Sequence, residues 1–177
     1  MEHEYWDIYD EGGTPLGKCV AKGTPLQDGE YHLAAELWLV NSKSQILVQQ
    51  RSMECEILPG IWGLTTGRMV SGEGTRIGCV REAYEELGIR LDGDKLRHVS
   101  RIVRSDGTHL IWDIYCLKLP ADLTPDVFHL QREEVSRIKW VTQEEFHRMV
   151  AQKQLFGYPE IDEIMGRVYQ ILKVDTP

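Results

Sequence analysis

One stretch of nine residues, REAYEELGI at 81–89, limits the fold of this chain strongly. Its Gly88 is typical of the position just after a helix, and Thr75 is a suitable N-cap, so a helix is predicted over 75–87. Apolar residues recur at helical spacing in this segment, at Ile77, Val80, Tyr84 and Leu87. The segment is therefore predicted to be a helix that packs through one apolar side.

The same helix carries Glu82, Glu85 and Glu86 within an arc of about 100°, because each residue turns the helix by about 100°. Like charges at this spacing repel by roughly 0.2–0.5 kcal/mol per pair, and carboxylates near a helix C-terminus oppose its dipole. Such a cluster suits a hard divalent cation such as Mg²⁺ or Mn²⁺. A solvated acidic face is the alternative for these three residues taken alone.

The remainder of the chain predicts an α+β fold. Alternating apolar residues and turn signals predict an N-terminal hairpin within 1–29, a second hairpin around NSKS at 41–44 and a third around DGT at 106–108. A short strand is predicted at VSRIKWV, followed by a helix capped by Thr142 with Glu145 at the capping-box position. A last helix is predicted over about 159–174, so mostly antiparallel strands accompany one central and two late helices.

Composition excludes several classes of function. A chain of 177 residues suggests one domain, and its net charge of -8 argues against a nucleic-acid-binding protein. No apolar run approaches the roughly 20 residues of a membrane span, and the N-terminus lacks the features of a signal peptide. The four cysteines are far apart and are expected to be reduced thiols. These features favour a cytoplasmic protein.

The residues upstream of the acidic helix make the acidic cluster part of a longer and more specific motif. From Gly67 the chain reads GRMVSGEGTRIGCVREAYEELGI, which resembles the Nudix box, G-x5-E-x7-R-E-U-x-E-E-x-G-U with U apolar, at every fixed position. The resemblance implies one Nudix hydrolase domain over 1–177, with 1–29 as a hairpin extension and 67–89 as the box. It also implies the family's fold, a mixed β-sheet flanked by helices in an α/β/α sandwich.

The resemblance also assigns roles to residues of the box. It implies a shell of ligands for Mg²⁺ or Mn²⁺, made by three side chains and one backbone carbonyl: Glu82, Glu85, Glu86 and Gly67. Arg81 and Glu73 would form an ion pair that holds the loop on the helix and orients the carboxylates. The implied reaction is metal-assisted hydrolysis of a diphosphate linkage in a nucleoside diphosphate derivative or a related organic pyrophosphate.

Other residues of the implied site are less closely tied to the box. The general base could be Glu82, or an acid from a later loop, where the sequence offers Glu133 and Glu134. Arg68 stands where the box often has a second glycine, and it could contact substrate phosphate or point outward. Arg51, at the end of VQQRS, is a second candidate for substrate binding. Trp62, Trp112 and Tyr115 could stack on a base or belong to the core.

Two alternative functions remain open. The run YHLAAELWLVNSKSQILVQQRS and the later LPGIW are similar to isopentenyl-diphosphate isomerases, a branch of the same superfamily. The positions of that family's catalytic cysteine and neighbouring metal-binding histidine hold Gly67 and Met69 here, which favours the hydrolase. A non-catalytic nucleotide-binding module is the other alternative. The N-terminal hairpin, with Trp6 and Tyr9, is a candidate for a homodimer contact.

Overall fold

The computed structural model describes residues 4–120 and 127–174. The segment PADLTPD at 120–126, which the sequence predicts to be a loop, therefore lies almost wholly outside the described residues. The elements follow in chain order: strands β1 (Tyr5–Tyr9), β2 (Pro15–Ala21), β3 (His32–Val40), β4 (Ile46–Arg51), β5 (Trp62–Gly63) and β6 (Thr65–Arg68), helix α1 (Thr75–Leu87), a 3-10 turn (Gly93–Lys95), strands β7 (Arg97–Arg104), β8 (Leu110–Lys118) and β9 (Val135–Val141), and helices α2 (Gln143–Ala151) and α3 (Ile161–Val174).

A mixed seven-stranded sheet forms the centre of the fold, and β1 and β2 form a separate antiparallel hairpin. In the main sheet β3 pairs in parallel with β8 and antiparallel with β6, whereas β4 pairs antiparallel with β5 and β9. Successive side chains of β3 point to opposite faces. Leu37 and Leu39 pack with α1, while Trp38 and Val40 pack with α2 and α3. The predicted α/β/α arrangement is confirmed.

The second predicted hairpin is wrong in its pairing, although both of its strands and its turn exist. Only Val40 and Ile46 are paired between β3 and β4. The strands part after that pair because β6 occupies the edge of β3 that a hairpin would have used, from Ala34 to Leu37. A cleft opens between the two diverging strands. The third predicted hairpin, β7 and β8, is confirmed.

The packed side of α1 also differs from the prediction. Ile77 and Tyr84 are 66% and 49% exposed, and the buried side consists mainly of small residues: Thr75, Gly78, Cys79, Ala83, Glu86 and Leu87. Small side chains let the helix approach the sheet closely. A Cβ added at Gly78 would lie 2.1 Å from Sδ of Met69. The helix is consequently rotated so that Glu86 faces inward.

The start of α1 is fixed by a buried polar contact instead of the predicted cap. Gly74 is the N-cap residue, and no side chain caps the helix. Thr75, the predicted cap, is the first helical residue and donates its hydroxyl to Asp113 on β8 at 2.7 Å. Asp113 also accepts two hydrogen bonds from Arg101 of β7, so the helix start is tied to the sheet. By contrast, Thr142 caps α2 as predicted.

The N-terminal hairpin packs on the main sheet. Trp6 and Ile8 are 4% and 0% exposed, and the ring of Trp6 stacks on that of His32 with centroids 4.3 Å apart. The prediction that Trp6 is available for a dimer contact is therefore wrong, because its ring is already covered by the same chain. Within the described residues, no helix has the length and apolar character needed to cross a membrane.

Candidate active site

Two glutamates of α1 lie next to β6 and β4, and of these Glu86 is buried and Glu82 is half-buried. Glu86 is 6% exposed and accepts a hydrogen bond of 2.6 Å from the side-chain amide of Gln49. The Glu82 carboxylate is packed against Gly67, where an added Cβ would lie 2.0 Å from its Cδ. Glycine at position 67 thus makes room for a carboxylate beside the backbone of β6. The helix and the strand together bring Glu82, Glu86 and Gly67 to one place.

Arg81 holds the acidic loop and helix together. Its guanidinium makes two hydrogen bonds of 2.9 Å to Glu73, one to each carboxylate oxygen. Its third nitrogen, Nη1, donates to Glu82 and Glu85 at 2.8 Å each. The fixed fork of an arginine is suited to such a bidentate contact. Glu85 is the outermost of the three helix acids, with its side chain 47% exposed.

The environment of Glu82 and Glu86 disfavours negative charge. Burial raises the pKa of Glu82 to about 7, although its ion pair with Arg81 opposes the shift. Burial raises the pKa of Glu86 to about 8, and the hydrogen bond from Gln49 offsets only part of that effect. A carboxylate in such surroundings is stabilised by a nearby cation. A cation placed beside this pair would therefore stabilise the charged form of both carboxyl groups.

The donor set fits a hard divalent cation. Two carboxylates four residues apart, one buried and one half-buried, and a backbone carbonyl at Gly67 offer the oxygen ligands that Mg²⁺ and Mn²⁺ prefer. Within residues 4–120 and 127–174, however, no three histidine, cysteine, aspartate or glutamate side chains already converge on one point. Glu85 instead lies on Arg81. Since Mg²⁺ usually keeps several waters and takes other ligands from phosphate, two protein carboxylates are a sufficient anchor.

The glutamate pair opens into a cleft of about 550 Å³ between the diverging strands β3 and β4. The lining of the cleft includes Glu82 and Glu86 and the cationic side chains of Arg51 and Arg68. It also includes apolar and aromatic side chains: Ile57, Leu58, Trp62, Trp112 and Phe156. This volume and this combination of lining groups are typical of a small-molecule site.

Glu134 and Arg51 face each other across the mouth of the cleft. Nη2 of Arg51 lies 4.0 Å from Oε2 of Glu134, whose side chain is 47% exposed. Nε of Arg51 donates to the carbonyl of Ile57 at 2.8 Å, which fixes the direction of the guanidinium. Glu134 is close enough to Glu86 to contribute to the raised pKa of that group. The other loop acid, Glu133, does not line the cleft.

The N-terminal hairpin contributes to the site, which sequence reasoning did not predict. The guanidinium of Arg68 lies over the ring of Trp6, 4.9 Å from its centroid. Asp7 accepts hydrogen bonds of 2.6 Å from the Ser71 hydroxyl and 2.7 Å from the Gly72 amide. The hairpin therefore braces both the arginine beside Gly67 and the loop before α1. The signal available in the sequence was weak, because YWDIY reads only as a strand.

Glu36 is a second group that the sequence reasoning did not single out. It lies on β3, is 2% exposed, and lines the cleft. Its Oε1 accepts hydrogen bonds of 2.7 Å from both Nε1 of Trp38 and the hydroxyl of Tyr158. The sequence did contain a signal, because an acid inside the apolar run YHLAAELWLV is unusual for a buried strand.

Glu36 should make the stability of the protein depend on pH. Burial raises its pKa to about 7, above the ordinary value near 4.5. Because the folded protein holds the proton more tightly than the unfolded chain, this contribution is full at low pH and is lost as pH rises through 7. Between about pH 5 and pH 8, the wild type should lose roughly 2 kcal/mol of unfolding free energy relative to Glu36→Gln, which cannot titrate there. Urea unfolding at both pH values measures this difference, and parallel pH curves for the two proteins would contradict the assignment.

Comparisons with known proteins agree with the motif and the fold. The NUDIX domain profile matches residues 30–161. An uncharacterised Nudix hydrolase of Listeria monocytogenes is 32% identical over 92% of this chain and 94% of its own length. Nudix hydrolase 3 of Arabidopsis thaliana is 27% identical over 98% of this chain, which spans only 24% of that longer protein.

The isomerase resemblance and the fold are also reflected in known proteins. The isopentenyl-diphosphate Delta-isomerase of Corynebacterium diphtheriae is 29% identical over 76% of each chain. A crystal structure of a Deinococcus radiodurans protein matches with a TM-score of 0.73 and 22% identity, covering 94% of this chain and 99% of that one. The profile and the Listeria relative both cover most of the chain. The chain therefore belongs to the NUDIX domain family, the family of the Nudix hydrolases.

Proposed function

We propose that the chain is a Mg²⁺-dependent hydrolase that cleaves a diphosphate linkage in a nucleoside diphosphate derivative or a related organic pyrophosphate. Family membership supports a pyrophosphohydrolase in general. The observation that carries the finer proposal is the pair formed by buried Glu86 and half-buried Glu82 beside Gly67, open to a cleft with cationic side chains in its lining. Such a site can hold a metal with phosphate beside it.

In this proposal the residues of the chain have distinct tasks. Glu82, Glu86 and the Gly67 carbonyl hold the metal, and Glu85 adds a further acid from the outer side. When bound, the metal neutralises phosphate oxygens and lowers the pKa of a water molecule. Arg81 and Glu73 keep the acids in position, and Arg51 and Arg68 bind the diphosphate.

Glu134 is the proposed general base. Its carboxylate is half exposed at the mouth of the cleft, so it can exchange protons with solvent after each turnover. Glu82, the other candidate, already accepts a hydrogen bond from Arg81 and packs against Gly67. These contacts suit a positioned ligand better than a group that must take up a proton.

Arg68 should contribute to substrate affinity through its contact with Trp6. The ring fixes the guanidinium beside the cleft, and a cation–π contact is worth about 0.5–2 kcal/mol. Trp6→Ala should therefore raise KM by about 3- to 10-fold with kcat nearly unchanged, and Trp6→Phe, which keeps an aromatic face, should restore much of the affinity. Steady-state kinetics below the unfolding temperature of each variant provide the measurement. A fall in kcat with KM unchanged would argue instead for a purely structural role.

A panel of nucleoside diphosphate derivatives and organic pyrophosphates tests the proposed function. Product release is measured with Mg²⁺, with Mn²⁺ and with excess chelator, and isopentenyl diphosphate is included for the isomerase alternative. We expect metal-dependent hydrolysis of at least one panel member and no isomerisation. Isomerisation without hydrolysis would favour the isomerase alternative. The structure argues against that alternative, because Met69, at the position of that family's histidine, is 3% exposed and covered by α1. Binding without turnover of any compound would support the non-catalytic module.

A further inference from the structure

The cleft contains a buried acid that the proposed hydrolysis does not use. Glu36 is 2% exposed, yet it lines the same cleft as the acidic pair. It lies on β3 opposite Thr66 of β6, one register position from the pair Ala35–Gly67. Since adjacent residues of a strand face opposite sides, Glu36 points away from α1, on the side of the sheet where it contacts Trp38 and Tyr158.

The two carboxylate oxygens of Glu36 differ in their surroundings. Oε1 accepts hydrogen bonds from both Trp38 and Tyr158, at 2.7 Å each. No group in residues 4–120 and 127–174 donates to Oε2. Among the side-chain atoms of those residues, only Nδ1 of His32 is both sealed from solvent and without a partner. Oε2 is therefore not sealed, and it reaches the cleft as an unused acceptor.

The side chains that line the same cleft as Glu36 indicate what would approach Oε2. Trp62 and Phe156 present partly exposed aromatic rings, and Leu58 adds an apolar side chain that is 42% exposed. Aromatic and apolar walls favour a flat ring, and an acceptor between them favours a ring that carries an N–H donor. A buried acceptor left unpaired in the complex is costly, which makes such a contact selective.

We propose that Oε2 of Glu36 selects substrates whose nucleobase carries an exocyclic amino group, as cytosine and adenine do, over the corresponding keto bases. This inference rests on the proposed function and names the substrate class of that site. Uracil and hypoxanthine would place a carbonyl oxygen where cytosine and adenine place an amine. Two acceptors would then face each other, and neither would be satisfied.

The variant Glu36→Gln tests the proposal through an inversion of preference. Trp38 and Tyr158 both donate to the same oxygen, so the amide oxygen of glutamine should take that position and its NH2 group should face the cleft. The wild type should hydrolyse amino-base derivatives with kcat/KM about 10- to 100-fold above matched keto-base derivatives, at about pH 8.5 where the carboxyl is ionised. In Glu36→Gln the keto-base derivative should become the better substrate. An unchanged preference would overturn the proposal.

Two further variants sharpen the test. Glu163→Gln is the matched control, because Glu163 is an exposed glutamate of α3 that pairs with Arg167. This variant should keep the wild-type preference. Adding Tyr158→Phe to Glu36→Gln removes one of the two donors that orient the amide, so the inversion should shrink. A merely structural role for Glu36 would lower activity on both bases alike.

Binding of mononucleotides separates this inference from the proposed function. Calorimetry with CMP, UMP, AMP and IMP measures base preference without any hydrolysis. Tighter binding of the amino base by the wild type, reversed in Glu36→Gln, supports the inference even if no panel member is hydrolysed. Equal binding of the amino and keto partners overturns it, even if a diphosphate is cleaved.

Discussion

Glu86→Gln should lower the metal-dependent hydrolysis by about 10³-fold while the fold survives. The loss follows from removing a charged ligand at the point where the metal stabilises developing charge, an interaction worth several kcal/mol. The fold should survive because glutamine has the same shape and can still accept a hydrogen bond from Gln49. The metal-free variant should be at least as stable as the wild type near neutral pH, because burial raises the pKa of Glu86 to about 8 and so disfavours the carboxylate.

Initial rates and thermal unfolding measure both parts of this expectation. Glu163→Gln provides the control, since Glu163 is exposed on α3 and does not line the cleft. Activity within a few-fold of the wild type in Glu86→Gln would contradict its role as a ligand. Loss of the cooperative unfolding transition would instead show that Glu86 is needed for the structure.

Gly67→Ala should reduce activity by about 10²-fold or more, through one added methyl group. The backbone of Gly67 lies outside the left-handed region, so alanine is not strained there by its own conformation. Its Cβ would nevertheless lie 2.0 Å from Cδ of Glu82, so the carboxylate must move. A displacement of about 1 Å in a reacting constellation is enough for such a loss. Metal affinity should fall together with kcat, because the moved group is a proposed ligand.

Gly166→Ala is the matched control for this substitution. It places the same methyl group on α3, where an added Cβ meets no atom within 4 Å. Alanine also has the higher helix propensity, so the control should be as stable as the wild type or more so. If Gly67→Ala retains full activity, then Glu82 can serve from another position, and its proposed contact with the β6 backbone has no function.

The box itself was predictable because its chemistry is local. A helix, its following glycine and the Glu73–Arg81 spacing all lie within one short segment, so residue types and separations are enough. The strands of the third hairpin were predictable for the same reason, since a short turn joins neighbours in sequence. These local signals predicted the fold class, and the resemblance to the Nudix box implied the proposed ligand set.

The parts that failed depend on contacts between distant segments. Nothing local indicates that β6 takes the edge of β3 and forces β4 away, which creates the cleft. The buried side of α1 contains Cys79 and Ala83, whereas Ile77 and Tyr84 are exposed. Close approach of the helix to the sheet outweighed the burial of these larger apolar side chains. The support of Arg68 by Trp6 joins residues 62 positions apart in sequence, beyond the reach of any periodic pattern.

The central claim is that Glu82 and Glu86 hold a divalent metal beside the Gly67 carbonyl. Anomalous diffraction from crystals grown with Mn²⁺ tests it most directly, because the signal locates the ion without reference to activity. A peak within coordination distance of both carboxylates, weakened or lost in Glu86→Gln, is the predicted result. Absence of a peak at this pair under saturating Mn²⁺ would contradict the claim. A peak at another position that Glu86→Gln leaves unchanged would contradict it as well.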